Sequence, residues 1–116
     1  MIFCHEHIIQ ILQEARSYIA RGWCAYAYAR DTNCSPINPT TPDACCWDIR
    51  GALYKANHQL GFTYQTALYV TARRALRTSV QSELLEEWND TPGRTQAEVL
   101  AAFDRAIEME KGKVGA

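Results

Sequence analysis

Six apolar side chains near the amino end, Ile8, Ile11, Leu12, Ala15, Tyr18 and Ile19, recur at steps of three and four residues. The 3.6-residue repeat of an α-helix gathers all six on one face, so a helix is predicted from about His5 to Arg21. Such a stripe needs apolar partners, because packing rather than propensity stabilises most helices. Later segments supply them. Cys45, Ile49, Ala52, Leu53 and Ala56 form a second stripe, and Tyr64, Leu68, Thr71, Ala72 and Ala75 a third. Val99, Ala102, Phe103, Ala106 and Ile107 form a fourth.

Boundary residues divide these stripes into elements. Gly22 is expected to stop the first helix in a left-handed conformation. Thr41-Pro42-Asp43 should open the second, with a capping hydroxyl, a proline at the first helical position and a carboxylate in the positive first turn. In that helix Trp47, Gly51 and Tyr54 fall opposite the stripe, which predicts a central helix with Gly51 at a close approach. The third helix is expected from about Thr63 to Thr78, with Arg73, Arg74 and Arg77 off its inner face. A short helical piece should run from Ser82 to Trp88. Thr95 caps the last helix, Glu98 completes a capping box, and Lys111-Gly112 should release the chain.

Between the first two helices, Trp23 to Asp31 alternates small and large side chains. Cys24, Tyr26 and Tyr28 would face one way and Ala25, Ala27 and Ala29 the other, as in an extended segment. Asp31-Thr32-Asn33 offers turn formers, and Pro36, Pro39 and Pro42 keep the next stretch irregular. A short hairpin or a loop across the surface would both fit; the hairpin is slightly favoured. The expected fold is mainly α: a compact bundle of four to five helices, with one irregular or short hairpin crossing between helices 1 and 2. One helical domain should span residues 1–116.

Composition narrows the function classes. A chain of 116 residues with 47% hydrophobic and 22% charged residues has the make-up of a globular domain. Its net charge of −1 exerts no global pull toward nucleic acid or anionic membrane. No apolar run approaches the roughly 20 residues that cross a bilayer. The start, MIFCHEHIIQ, lacks a basic region and an unbroken apolar segment, so export is not expected. The odd count of five cysteines then suggests a reducing cytoplasm with thiols kept as small buried hydrophobes.

The run from Trp88 to Thr95 is the densest in separate stereochemical roles. As a recognition surface, Trp88 would be an apolar anchor, Arg94 a forked donor, and Asn89 and Asp90 hydrogen-bonding partners. As a structural device, Trp88 would plug the core, Asn89 or Asp90 would end the short helix, and Pro92-Gly93 would make a type II turn. Arg30 and Asp31 could clamp the crossing to this turn, or join Asp90 and Arg94 in a polar pocket for a small anion or a carboxylate.

Other chemistries find less support. Cys4, His5, His7, Cys24, Cys34, Cys45, Cys46 and His58 lack the spacing of structural zinc modules, so no metal site is assigned. Cys46 and His58 would sit at opposite ends of the second helix, about 20 Å apart, too far for thiol catalysis. There is no phosphate loop, serine elbow or paired-carboxylate motif, and no cofactor is implied. Arg73, Arg74 and Arg77 are a local basic patch rather than a nucleic-acid footprint.

Gly22-Trp23-Cys24, Ala29-Arg30-Asp31, Gly51-Ala52-Leu53, Trp88-Asn89-Asp90 with Pro92-Gly93-Arg94-Thr95, and Phe103-Asp104-Arg105-Ala106-Ile107 succeed one another in a fixed order. In them the chain resembles a family of small bacterial and phage proteins of unknown function, from about Ala15 to Ile107. The resemblance implies a stand-alone intracellular domain and brings no activity, cofactor or catalytic residue. Asn33-Cys34 departs from the family's more usual Asp-Gly at this turn. The expected function is therefore a non-catalytic, cytoplasmic interaction protein, acting on another protein or on a second copy of itself. Its binding residues would be Arg30, Asp31, Trp88, Asn89, Asp90 and Arg94. The alternative is a small-molecule or anion-binding protein, or a small hydrolase, built on the Arg/Asp cluster.

Overall fold

A computed structural model describes residues 5–62 and 65–114. Helix α1 spans His5–Arg21 and buries Ile8, Ile11, Leu12, Ala15, Tyr18 and Ile19, the whole predicted stripe. The remaining helices are α2 (Ile49–Leu60), α3 (Gln65–Val80), α4 (Leu85–Asn89) and α5 (Gln96–Val114). α1 lies against both α2 and α5, and α3 closes the bundle between those two. The core draws on all four predicted stripes and on residues between them, with Trp47 and Phe103 its largest sealed side chains. The architecture is mainly α, as expected.

The crossing between α1 and α2 is a minimal antiparallel pair. Strand β1 (Ala29–Arg30) joins β2 (Cys46–Trp47) in the register Ala29 to Trp47 and Arg30 to Cys46. A parallel bridge of Trp23 to Trp47 adds the chain just after α1. The alternation expected from Trp23 to Asp31 breaks at Tyr26, which adopts φ 66°. Beyond that kink it resumes, with Tyr28 outward and Ala29 fully buried.

The conformation of Gly22 and the start of α2 differ from expectation for reasons of tertiary pairing, while α1 ends at Arg21 as predicted. Gly22 is not left-handed; its carbonyl accepts from the Trp47 N–H at 3.1 Å, and Cys24 N–H returns to the Trp47 carbonyl at 3.1 Å. A β-carbon at Gly22 would collide with the Cys45 carbonyl, so glycine is needed here for close approach. Thr41-Pro42-Asp43 opens a turn, closed by Ala44 N–H to the Thr41 carbonyl at 3.2 Å, rather than a helix. Proline at the second turn position is as well placed as at a helix start. The next residues are drawn into pairing instead, with Cys45 N–H on the Arg30 carbonyl at 2.8 Å. Helix α2 therefore begins at Ile49, capped by Asp48, whose carboxylate accepts from Gly51 N–H at 2.6 Å. Cys45 is exposed and leaves the stripe, while Trp47 enters the core from β2 and donates Nε1–H to the Pro39 carbonyl at 3.0 Å.

Gly51 makes its predicted close approach, against the Tyr28 carbonyl. The expected start of α3 at Thr63, and Tyr64 on its inner face, lie outside the described residues; Leu68, Ala72 and Ala75 are buried as read, joined by Leu76 and Ser79. α4 starts at Leu85, three residues later than expected, because Ser82 Oγ accepts from Leu84 N–H at 3.2 Å and holds a turn. α5 continues through Gly112 to Val114, since glycine within a helix costs only about 1 kcal/mol. Thr95 and Glu98 form the predicted capping box: Glu98 N–H donates to Thr95 Oγ1 at 3.2 Å and Thr95 N–H to Glu98 Oε1 at 2.9 Å.

Candidate functional site

Asn89 ends α4 with 0% of its surface exposed, and its amide has four partners in three segments. Oδ1 accepts from Trp23 Nε1–H at 2.8 Å and from Ile49 N–H at 3.1 Å. Nδ2 donates to the Cys24 carbonyl at 3.2 Å and to Asp90 Oδ1 at 2.9 Å. All of the amide's main donor and acceptor capacity is therefore used inside the molecule. The start of α2, the exit of α1 and the end of α4 are pinned at one point. Beside it, buried Asp48 pairs with Arg50 at 2.9 Å, and Arg50 also reaches Glu86 at 3.1 Å. Burial pushes the Asp48 carboxyl above its ordinary value, against the Gly51 N–H and the Arg50 guanidinium, which both favour its charged form.

The other predicted residues divide into two places. Asp90 Oδ1 accepts from Tyr26 N–H at 2.9 Å, and its carbonyl accepts from Tyr26 Oη–H at 3.1 Å. Asp90 thereby holds Tyr26 in its left-handed conformation. Arg30 donates to the carbonyls of Cys34 (2.9 Å) and Ala25 (3.2 Å). Asp31 takes the N–H groups of Asn33 (2.9 Å) and Ser35 (3.0 Å) in an Asx turn. Trp88 and Arg94 do come together. The guanidinium carbon lies 3.9 Å from the indole centroid and Nε donates to the Trp88 carbonyl at 2.8 Å, with Glu98 3.4 Å away. Gly93, at φ 86°, completes the predicted turn, with Arg94 N–H on the Thr91 carbonyl at 2.9 Å. No hydrogen bond or ion pair among the described residues links Arg30 or Asp31 to Asp90 or Arg94.

A groove of about 650 Å³ lies on the face that these contacts support. It is lined by Tyr26 to Tyr28 and Pro36 to Pro39 of the crossing, by Tyr54 of α2 and by Tyr69 of α3. Tyr26 is 71% exposed, Tyr54 47% and Tyr28 45%, an unusual concentration of open aromatic surface. The rings are braced from behind. Arg50 sits 4.0 Å from the Tyr28 centroid, and Tyr54 meets Tyr69 edge-on at 6.1 Å. Arg73 lies 5.9 Å from the Tyr69 centroid, half-buried rather than fully solvated, and its Nε has no hydrogen-bond partner among the described residues. Burial raises the Tyr69 phenol above its usual value, and Arg73 opposes this.

Sequence reasoning missed this groove. The alternating tyrosines of the crossing were visible, yet nothing local placed Tyr54 and Tyr69 beside them.

Among the described residues, no group of three or more histidine, cysteine, aspartate or glutamate side chains could hold a metal ion. Cys4 lies outside them. Cys46 belongs to β2 and precedes α2, so it does not sit at one end of that helix with His58 at the other as expected. Cys24 neighbours it, and burial followed by the Cys46 thiol pushes the Cys24 thiol upward, away from nucleophilic character. No described helix is long and apolar enough to cross a membrane.

The chain belongs to a family of unknown function, DUF6197, whose model matches residues 4–109. No curated protein and no solved structure matches it.

Proposed function

We propose that this chain is a non-catalytic binding protein that acts on another protein, and that the tyrosine groove is its contact surface. The carrying observation is the set of three tyrosines, at 26, 28 and 54, that stand in solvent around one concavity. Tyrosine offers a large, stiff, amphipathic face at low entropic cost, and is over-represented at interface hot spots. Arg30, Asn89 and Asp90 have internal partners and serve as its scaffold. Trp88 and Arg94, packed on each other, are a second and smaller feature, half-buried with the indole against the core. The resemblance to bacterial and phage proteins favours an accessory factor in a bacterial or infected-cell cytoplasm, and the free thiols at 24, 34, 45 and 46 suit such a compartment.

Capture from a bacterial lysate, with subsequent titration of the purified partner, tests the proposal. Tyr54→Ala should weaken binding about tenfold or more, as truncation of a hot-spot residue does. Trp88→Ala and Arg94→Ala report on the second feature. If wild type and all three variants retain the same background proteins, the interaction role is wrong. The polar-pocket alternative has less support, because Arg30 and Asp31 direct their hydrogen bonds into their own loop.

A further inference from the structure

We infer that the tyrosine groove takes a proline-rich segment in the polyproline II conformation, with an acidic residue of that segment beside Arg73; this rests on the interaction role proposed above. Openness argues first. A small-molecule site buries most of its ligand, whereas here Tyr26, Tyr28 and Tyr54 project as ridges with about half or more of their surface in solvent. Ridges of stiff rings with troughs between them suit an extended segment laid across them.

Hydrogen-bonding capacity argues next. The hydroxyls of Tyr28, Tyr54 and Tyr69 make no hydrogen bond with any described residue. The groove therefore presents three hydroxyls free to donate to the carbonyls of a docked segment. A polyproline II strand is the complementary object, because it has no internal hydrogen bonds, its carbonyls point outward, and its prolines bring no N–H. Aromatic-lined grooves are the usual receptors for such strands. Preorganisation favours the same occupant: Asp90 fixes Tyr26, Arg50 packs on Tyr28, and Pro36 and Pro39 stiffen their part of the lining.

Charge specifies the rest. Arg50 is neutralised by Asp48 and Glu86, but Arg73 has no carboxylate partner among the described residues. It sits one helical turn from Tyr69, outside the residues that line the groove, so the acidic side chain of the partner meets it by reaching past Tyr69 to the guanidinium.

The test is titration of the isotopically labelled full chain, read through amide chemical shifts. Three probes are used: a capped proline-rich decamer with one glutamate, its glutamine counterpart, and an acidic helix-forming decamer. The expected result is movement of Tyr26, Tyr28, Ile37, Tyr54 and Tyr69 with the first peptide. Affinity should fall about tenfold for Tyr54→Ser, and severalfold both for the glutamine peptide and for Arg73→Gln. The spectra of the variants themselves report that they fold. Equal affinity for the glutamate and glutamine peptides overturns the acidic contact. If only the helical peptide moves these amides, the polyproline occupant is overturned and the groove stands. Movement with rising concentration of the chain alone assigns the groove to a second copy and likewise overturns it. If nothing moves them, the polyproline occupant is overturned; the interaction role stands if lysate capture still depends on Tyr54 and falls with it if capture does not.

Discussion

Replacing Asn89 with alanine should unfold this protein more readily than any single change on its surface. Ile49 N–H lies in the interior, and losing its acceptor leaves a buried donor unsatisfied at about 1–3 kcal/mol. Trp23 Nε1–H and the Cys24 carbonyl border solvent, so about 0.5–1.5 kcal/mol is lost at each. Together the penalty is about 2–6 kcal/mol, a large part of the roughly 5–15 kcal/mol that holds a domain folded. Unfolding entropy near 2.1 cal/mol/K per residue gives about 0.24 kcal/mol/K for 116 residues, so Tm should fall by about 8–25 °C. Thermal melts monitored by circular dichroism at 222 nm measure this directly. Asn89→Asp separates hydrogen bonding from volume. It keeps an acceptor for Ile49 but sets a second carboxylate against Asp90, and should be nearly as damaging. A drop of less than about 4 °C for the alanine variant would show that water replaces the amide, and the hub would lose its assigned role.

Three further outcomes are expected. Gly51→Ala drives a methyl into the Tyr28 carbonyl and should destabilise by about 1–3 kcal/mol or more in urea, whereas Gly112→Ala, with open space around it, should stabilise by up to about 1 kcal/mol; matching effects would contradict the packing described. The Thr95 N–H bond, then the Thr95 hydroxyl and Arg94, holds the Glu98 carboxyl below its ordinary value. Its capping contribution is thus complete above the unfolded glutamate pKa and is lost as pH falls through the lower folded value; carbon-detected titration of Glu98 giving an ordinary or raised value would refute the box. Alkylation at mildly alkaline pH should label exposed Cys34 and Cys45 first and Cys24 last, and mass spectrometry showing Cys24 among the fastest would contradict its buried, upshifted thiol.

Much of the scaffold was legible because its signals are local. The α1 stripe, the Thr95–Glu98 box and the Thr91–Arg94 turn each depend on residues within a turn or two, where side-chain spacing and backbone preference fix the outcome. The start of α2 was misplaced because Thr41-Pro42-Asp43 suits either a turn or a helix, and the choice fell to pairing of Cys45–Trp47 with Arg30 and Gly22. Asn89 does end the short helix, one of the two roles read for it. Its direction, inward rather than outward, was not visible.

Periodicity and capping, written along the chain, settled which stretches coil into helices and which faces they hide. Assembly settled everything that joins distant segments: Asn89 reaches Trp23 across 66 positions and Ile49 across 40, and Tyr26 finds Asp90 across 64. The four tyrosines of the groove come from the crossing, α2 and α3, and no spacing rule relates them. Helical order is set by neighbours a few residues apart, whereas a shared surface exists only after the hydrophobic core has brought its contributors together.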